Sequence, residues 1–350
     1  MSKISIISPG VTGGGAERVA NIIAKYFSSR GHQVCFIYMR EDEHWLSDNN
    51  FIQYICVDNH ELHGVKKYIY KTRKTWSFVK KHDSDIVISF LTDEALMTML
   101  MFKGRKIASL RNDPRRTCTK LYTKLIRYII YAVSHHVVFQ TTDARDYFSG
   151  KIKKNGVIIP NPITSDLPIW LEELEHANVI TACRLEPQKN LKMLMNAFNK
   201  ICLEGYKGDL LIYGDGVLKN ELKKYASDSL KNNHIIFKGY SNNIHEEMKK
   251  ASVFALTSDY EGISNSMLEA IAIGVPTVCT DCPVGGAKMA IKNNERGILV
   301  PVGDTEKLYN ALKKLLYDEA FCKALSKKEM TIREELDEQT VCRKWERLME

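Results

Sequence analysis

Apolar residues in this chain fall into short uninterrupted runs separated by longer stretches of helical period. Ile4 to Ser8 is one such run, followed by a glycine turn, a helical pattern over Ala16 to Ser29 closed by Gly31, and a second run from Val34 to Met39. Continuous rather than alternating apolarity is what a strand covered on both faces requires, so this opening predicts a β-α-β unit of a parallel sheet. Further runs at Ile86 to Phe90, Lys106 to Leu110 and His136 to Gln140 extend the same sheet. Around Val157 to Pro162 a strand ends in a proline-rich break, and the polar stretch Thr164 to His176 reads as a linker. The alternation then restarts, with strands near Val179 to Cys183, Asp209 to Tyr213, Ile235 to Lys238, Val253 to Thr257, Val275 to Thr280 and Gly297 to Val300. After Thr305 the pattern is helical and ends in an amphipathic segment containing Val341, Trp345 and Leu348.

The predicted architecture is α/β: two doubly wound, Rossmann-like domains over 1–163 and 164–333, with a closing helix in 334–350 that returns to the first domain. A length of 350 residues also exceeds what one hydrophobic core usually organises. No apolar run approaches the roughly 18 residues of a membrane span, and the first strand leads into a glycine loop rather than a cleavage site. A cytoplasmic protein is expected. Nine scattered cysteines fit reduced thiols, and Cys279-Thr280-Asp281-Cys282 lacks the second ligand pair of a zinc site.

Charge adds an asymmetry. The net +8 divides into 25 Lys/Arg against 14 Asp/Glu over residues 1–165, and 25 against 28 over the rest, or about +11 and −3. An anionic partner of the first half is implied, either a membrane surface or nucleic acid. Lys66, Lys67, Lys71, Arg73, Lys74, Lys80 and Lys81 are interleaved with Tyr68, Tyr70 and Trp76, and a second stretch puts Lys120, Lys124 and Arg127 on one helical face beside Leu121 and Leu125. Such faces bind anionic headgroups at about 1 kcal/mol per cation, although a solvated charged face gives the same pattern. No nucleic-acid module accompanies these residues, so no nucleic-acid partner is expected.

Three segments carry chemistry. Gly13-Gly14-Gly15-Ala16-Glu17 forms a strand-to-helix turn whose N–H groups can meet a phosphate; Arg18 replaces the third glycine of a dinucleotide fingerprint. Arg184 and Lys189 follow a strand and precede a helix that Asn190 could cap, so two cations stand at a helix start. Ser258 to Ala270 holds Glu261 and Glu269 around Ser264, Asn265 and Ser266 at a helix N-terminus. There the backbone can take phosphate and Glu269 can accept two ribose hydroxyls, while a capping box of Ser266 with Glu269 remains the plain alternative.

Taken in order with Arg111-Asn112-Asp113-Pro114, Phe139-Gln140-Thr141 and Pro160-Asn161-Pro162, these segments resemble the retaining GT-B glycosyltransferases of family 4 over nearly the whole chain. The resemblance implies two domains facing a central cleft. It implies catalytic roles for Arg184 and Lys189 on the donor diphosphate and for Glu261 on the transferred sugar. Donor contacts are implied at Gly14, Gly15, Gly214, Tyr240, Ile263, Ser264, Asn265, Ser266 and Glu269, and acceptor-side roles at Glu17 and Arg111.

The activity so implied is retaining, metal-independent transfer of a hexose or N-acetylhexosamine, without a cofactor, from a UDP-sugar to a glycan or lipid-linked oligosaccharide. The setting implied is surface polysaccharide biosynthesis, of capsule or O-antigen, at the inner face of the membrane. Asp83-Ser84-Asp85, the one Asp-x-Asp, precedes a strand at the end away from the ligand crevice and reads as a surface turn rather than a metal site. Many relatives carry a His where this chain reads Ser109 to Asp113, and a Pro-Arg-Glu where it reads Gly286-Ala287-Lys288. A nucleotide-sugar epimerase, a phosphorylase and a non-catalytic sugar-nucleotide binder share the implied fold.

Overall fold

The computed structural model describes residues 1–11, 14–40, 52–90, 93–171, 178–292 and 294–350. Gly13 and the end of the expected linker lie outside the described residues. The chain forms two compact units, Met1–Pro162 with Glu338–Glu350, and Ile163–Asp337.

In the first unit the described elements begin with β1 (Lys3–Ser8), α1 (Gly15–Ser29), β2 (Gln33–Tyr38), β3 (Ile52–Cys56), α2 (Gly64–His82) and β4 (Ile86–Ser89). They continue with α3 (Leu96–Met101), β5 (Arg105–Leu110), α4 (Leu121–Val133), β6 (His136–Phe139), α5 (Thr142–Asp146), α6 (Gly150–Lys154) and β7 (Gly156–Ile158). All seven strands pair in parallel, in the order β3-β2-β1-β4-β5-β6-β7. Burial along β1, β2 and β4 is continuous, as helices on both faces demand. β3, which the sequence reading did not anticipate, is an edge strand whose Gln53 is exposed.

The second unit runs β8 (Val179–Ala182), a 3-10 turn (Pro187–Lys189), α7 (Leu191–Leu203), β9 (Leu210–Tyr213), α8 (Lys219–Lys224), a π turn (Tyr225–Leu230), β10 (Ile235–Gly239) and α9 (Ile244–Met248). After these come β11 (Val253–Leu256), α10 (Asn265–Ile273), β12 (Thr277–Thr280), α11 (Gly286–Ile291), β13 (Ile298–Val300), α12 (Thr305–Tyr317), α13 (Glu319–Glu329) and α14 (Ile332–Leu336). Six parallel strands are ordered β10-β9-β8-β11-β12-β13. Every residue of α10 from Met267 to Ile273 is buried, so this helix is a core element rather than an amphipathic cover, while Asn265 and Ser266 at its N-terminus are only partly buried.

The last helix, α15 (Glu338–Glu346), packs in the first unit against α1, where Tyr26 Oη donates to Glu346 Oε2 at 2.9 Å. Trp345 is fully buried and stacks on Phe90 with ring centroids 5.7 Å apart. Two of the cations expected on the basic surface are instead interior. Arg127 is 3% exposed and donates to Pro114 O at 2.8 Å and to Thr117, while Lys71 donates to Met39 O and pairs with Asp58 at 3.1 Å. Each neutralises oxygens that helix packing would otherwise bury without a partner.

Candidate active site

In the second sheet, β8 has β9 on one side and β11 on the other, so the chain leaves β8 in opposite directions at this point. Open α/β sheets bind ligands beyond the carboxyl ends of strands at such a reversal. Arg184 follows β8, Gly214 follows β9, Tyr240 follows β10, and Glu261 lies in the loop between β11 and α10. Four adjacent strands therefore deliver the expected donor-side residues of this unit.

Lys189 and Glu261 form an ion pair through Nζ and Oε2, their side chains 8% and 17% exposed. Ser258 Oγ donates to the same carboxylate oxygen at 3.2 Å. The two loops are stapled together: Asp259 N donates to Gln188 O at 2.9 Å, Gln188 Nε2 to Tyr260 O at 2.7 Å, and Thr257 Oγ1 to Lys189 O at 3.0 Å. Arg184 is different in kind, 60% exposed, with Nη1 donating to Glu186 Oε1 at 3.0 Å. One cation is thus buried and charge-balanced, the other solvated and able to move.

Two local expectations need correction. Asn190 does stand at the start of α7, but it adopts a left-handed conformation (φ 42°) and its Nδ2 donates to Asp259 Oδ1 at 2.7 Å instead of capping the helix. The box of Ser266 with Glu269 is out of register, because Ser264 is the N-cap and its Oγ accepts from Met267 N at 3.4 Å. Glu269 is instead hydrogen-bonded to His245 Nε2 at 2.9 Å, a contact with no sequence signal because the two residues lie 24 positions apart on different helices. Ile263 and Ser264 are buried, Asn265 and Ser266 partly so, and Tyr240 is 79% exposed.

Glycine is required where these loops approach one another. A Cβ on Gly214 (φ +120°) would lie 1.9 Å from Cys183 O, and one on Gly286 would lie 1.7 Å from Gly262 O. Burial pushes the thiols of Cys183 and Cys282 up to about 11 and about 12, so neither is a thiolate at neutral pH.

In the first unit Gly14 is the N-cap of α1 and Gly15 its first residue. Glu17, buried, lays its carboxylate against Gly14 and pairs with Arg40 Nη2 at 2.9 Å. Arg111 follows β5 with its guanidinium beside the stacked pair Phe90 and Trp345, 5.5 and 5.2 Å from their ring centroids. Its Nη1 donates to Ile159 O at 3.2 Å and to Asn161 Oδ1 at 3.1 Å, and burial lowers its pKa to about 9. Arg111 therefore anchors the last helix within this unit through cation–π stacking.

Residues 165–330 match the family model for glycosyl transferases group 1. A Campylobacter jejuni N-acetylgalactosamine-N,N'-diacetylbacillosaminyl-diphospho-undecaprenol 4-alpha-N-acetylgalactosaminyltransferase is 31% identical over 167 residues, which span 47% of this chain and 44% of that enzyme. A second enzyme of that organism, an alpha-1,4-N-acetyl-D-galactosaminyltransferase acting on GalNAc-alpha-(1->4)-GalNAc-alpha-(1->3)-diNAcBac-PP-undecaprenol, is 26% identical over 93% of this chain and 92% of its own length. Among solved structures, sucrose-phosphate synthase from Thermosynechococcus elongatus superposes with a TM-score of 0.87 at 15% identity, covering 99% of this chain and 98% of that one. Anabaena HepE in complex with UDP and glucose gives 0.81 at 16% identity, covering 99% of each chain. Residues 165–330 thus match glycosyl transferases group 1, on a chain whose two parallel-sheet units have the GT-B fold, and the chain is similar to family 4-like glycosyltransferases.

Proposed function

We propose that the chain transfers a hexose or N-acetylhexosamine from a UDP-sugar to a lipid-linked glycan, with retention and without a metal, in surface polysaccharide assembly. The observation that carries this reading is the convergence of Arg184, Lys189, Glu261 and the Ser264-capped end of α10 at neighbouring strand ends. A departing diphosphate gains negative charge at the transition state. Lys189 and the N–H groups of Asn265 and Ser266 are fixed donors for that charge, requiring no rearrangement as it develops, and the exposed Arg184 supplies a second cation beside them. Glu261 and Glu269 accept hydroxyls of the transferred sugar and the ribose. The names of the Campylobacter relatives support an undecaprenyl-diphosphate-linked acceptor, and the HepE complex supports UDP.

A thermal-shift panel of UDP-, GDP-, ADP- and dTDP-sugars tests the donor. Product anomeric configuration by NMR, with and without EDTA, tests retention and metal independence. Stabilisation by UDP-sugars alone and transfer unaffected by EDTA are expected; activity abolished by EDTA and restored by manganese would overturn the mechanism.

The same reading includes contact of the first unit with an anionic membrane surface. Leu121, Tyr122, Leu125 and Tyr128 of α4 are 84%, 58%, 59% and 55% exposed, beside Lys120 and Lys124. α3, which packs against both α4 and α2, adds exposed Leu100 and Met101. A groove of about 520 Å³ along α2 is lined by Lys66, Ile69, Tyr70, Arg73, Lys74 and Ser77. Apolar side chains ringed by cations suit the headgroup boundary of a bilayer. No helix among the described residues is long and apolar enough to cross a membrane.

A further inference from the structure

The short helix α9 is clamped at both ends of its own length. Tyr213, the last residue of β9, donates from Oη to Glu247 Oε2 at 2.9 Å, and His245 Nε2 stands 2.9 Å from Glu269 Oε2. α9 also packs directly against α10. Immediately before α9 lies the loop that carries Tyr240, entered through Gly239 at φ +76°. The Glu269 side chain is 7% exposed and that of His245 29%, so their contact is largely withdrawn from water.

We propose that His245 is a positioning residue for nucleoside recognition, holding the Glu269 carboxylate toward the ribose of the donor and tying it to the Tyr240 loop. The inference rests on the reading of Glu269 as the ribose ligand. A glutamate side chain has three torsions to fix when it binds, and a donor already bonded to one oxygen fixes them beforehand. The Nε2–H tautomer and the imidazolium both donate from this nitrogen, so the contact survives in either charge state of His245. A carboxylate has about four acceptor positions, so one hydrogen bond from the imidazole leaves Glu269 able to accept others. Because α9 is tethered to β9 as well, the position of the Tyr240 loop and the aim of the carboxylate are set together.

Affinities of the wild type, His245→Ala, His245→Gln and Glu269→Gln for UDP and for 2′-deoxy-UDP test this by titration calorimetry. The wild type is expected to favour UDP by about tenfold, the loss of one hydrogen bond to a charged acceptor. In His245→Ala the preference falls to about twofold and the KM for donor rises by on the order of tenfold, while kcat falls by less than KM rises. His245→Gln, which restores an N–H donor, recovers most of the preference. A merely structural role would lower the melting temperature and weaken both ligands alike, leaving the ratio intact. An unchanged ratio in His245→Ala overturns the proposal while leaving Glu269 as ribose ligand. Equal binding of the two ligands by wild type and Glu269→Gln overturns the ribose assignment itself, and this inference with it.

Discussion

Lys189 and Glu261 neutralise one another at the carboxyl ends of β8 and β11, with Ser258 as a second donor to the same oxygen. Removing the lysine alone leaves a carboxylate where a diphosphate is expected to bind. Lys189→Ala is therefore predicted to lose transfer by roughly 10²- to 10³-fold, as for deletion of an oxyanion donor. The double variant Lys189→Ala with Glu261→Gln should lose less than the product of the two single losses, because the second change removes the repulsion created by the first. A kinetic double-mutant cycle checks this, and strict additivity would show the pair to be uncoupled.

Arg111 is predicted to act on stability before it acts on turnover. Trp345→Ala should cost about 3–5 kcal/mol by removing a fully buried indole. Arg111→Lys should be unexpectedly damaging for a charge-conserving change, since an ammonium cannot lay a flat face against Phe90 and Trp345 while also reaching both Ile159 O and Asn161 Oδ1. Urea denaturation of the two variants decides it; wild-type midpoints would remove the anchoring role.

Glu329 gives a pH dependence whose sign can be worked out. It is wholly buried, and that burial raises its pKa well above the ordinary value; Oε1 accepts from Thr277 N at 3.0 Å. The folded chain then keeps a proton that the unfolded chain releases above a pH of about 4.3, so stability falls as pH climbs from there toward the folded pKa. Glu329→Gln imitates the protonated form. Its melting temperature relative to wild type should increase between pH 5 and pH 8, and a constant difference would mean that Glu329 is ionised in the fold.

On the first unit, Leu121→Glu combined with Leu125→Glu should reduce flotation with vesicles containing anionic lipid while leaving the melting temperature within about 1 °C, because both side chains are solvent-facing. Equal flotation of the wild type on neutral and anionic vesicles would defeat the membrane reading.

The sheets were legible because largely buried strands leave apolar runs, and twelve of the thirteen strands among the described residues were read from such runs, the partly exposed β10 included. β3 was missed: in Ile52–Cys56 the exposed Gln53 breaks the apolar run after one residue, whereas in β10 the exposed Lys238 comes only after Ile235, Ile236 and Phe237. The helix starts were readable to within a residue or two, but not which side chain would cap them: Ser264 and Ser266 are chemically equivalent in sequence, and the distant Asp259 draws Asn190 away. Arg127 and Lys71 look like surface cations because a sequence gives helical phase and not depth. Only the fold shows that carbonyls of Pro114, Thr117 and Met39 await them. His245 is the same lesson at the site, a histidine given meaning solely by where α9 lands.

The order β10-β9-β8-β11 has a practical corollary for re-engineering. The segment after β10 springs from one flank of the group, whereas Arg184 and Lys189 follow β8, two strand spacings or roughly 10 Å away, and Glu261 follows β11, three spacings or roughly 14 Å away. Exchanging residues 240–243 for another sequence would then alter the Tyr240 side of the expected donor site without disturbing the diphosphate grip, making that stretch a natural target for library selection.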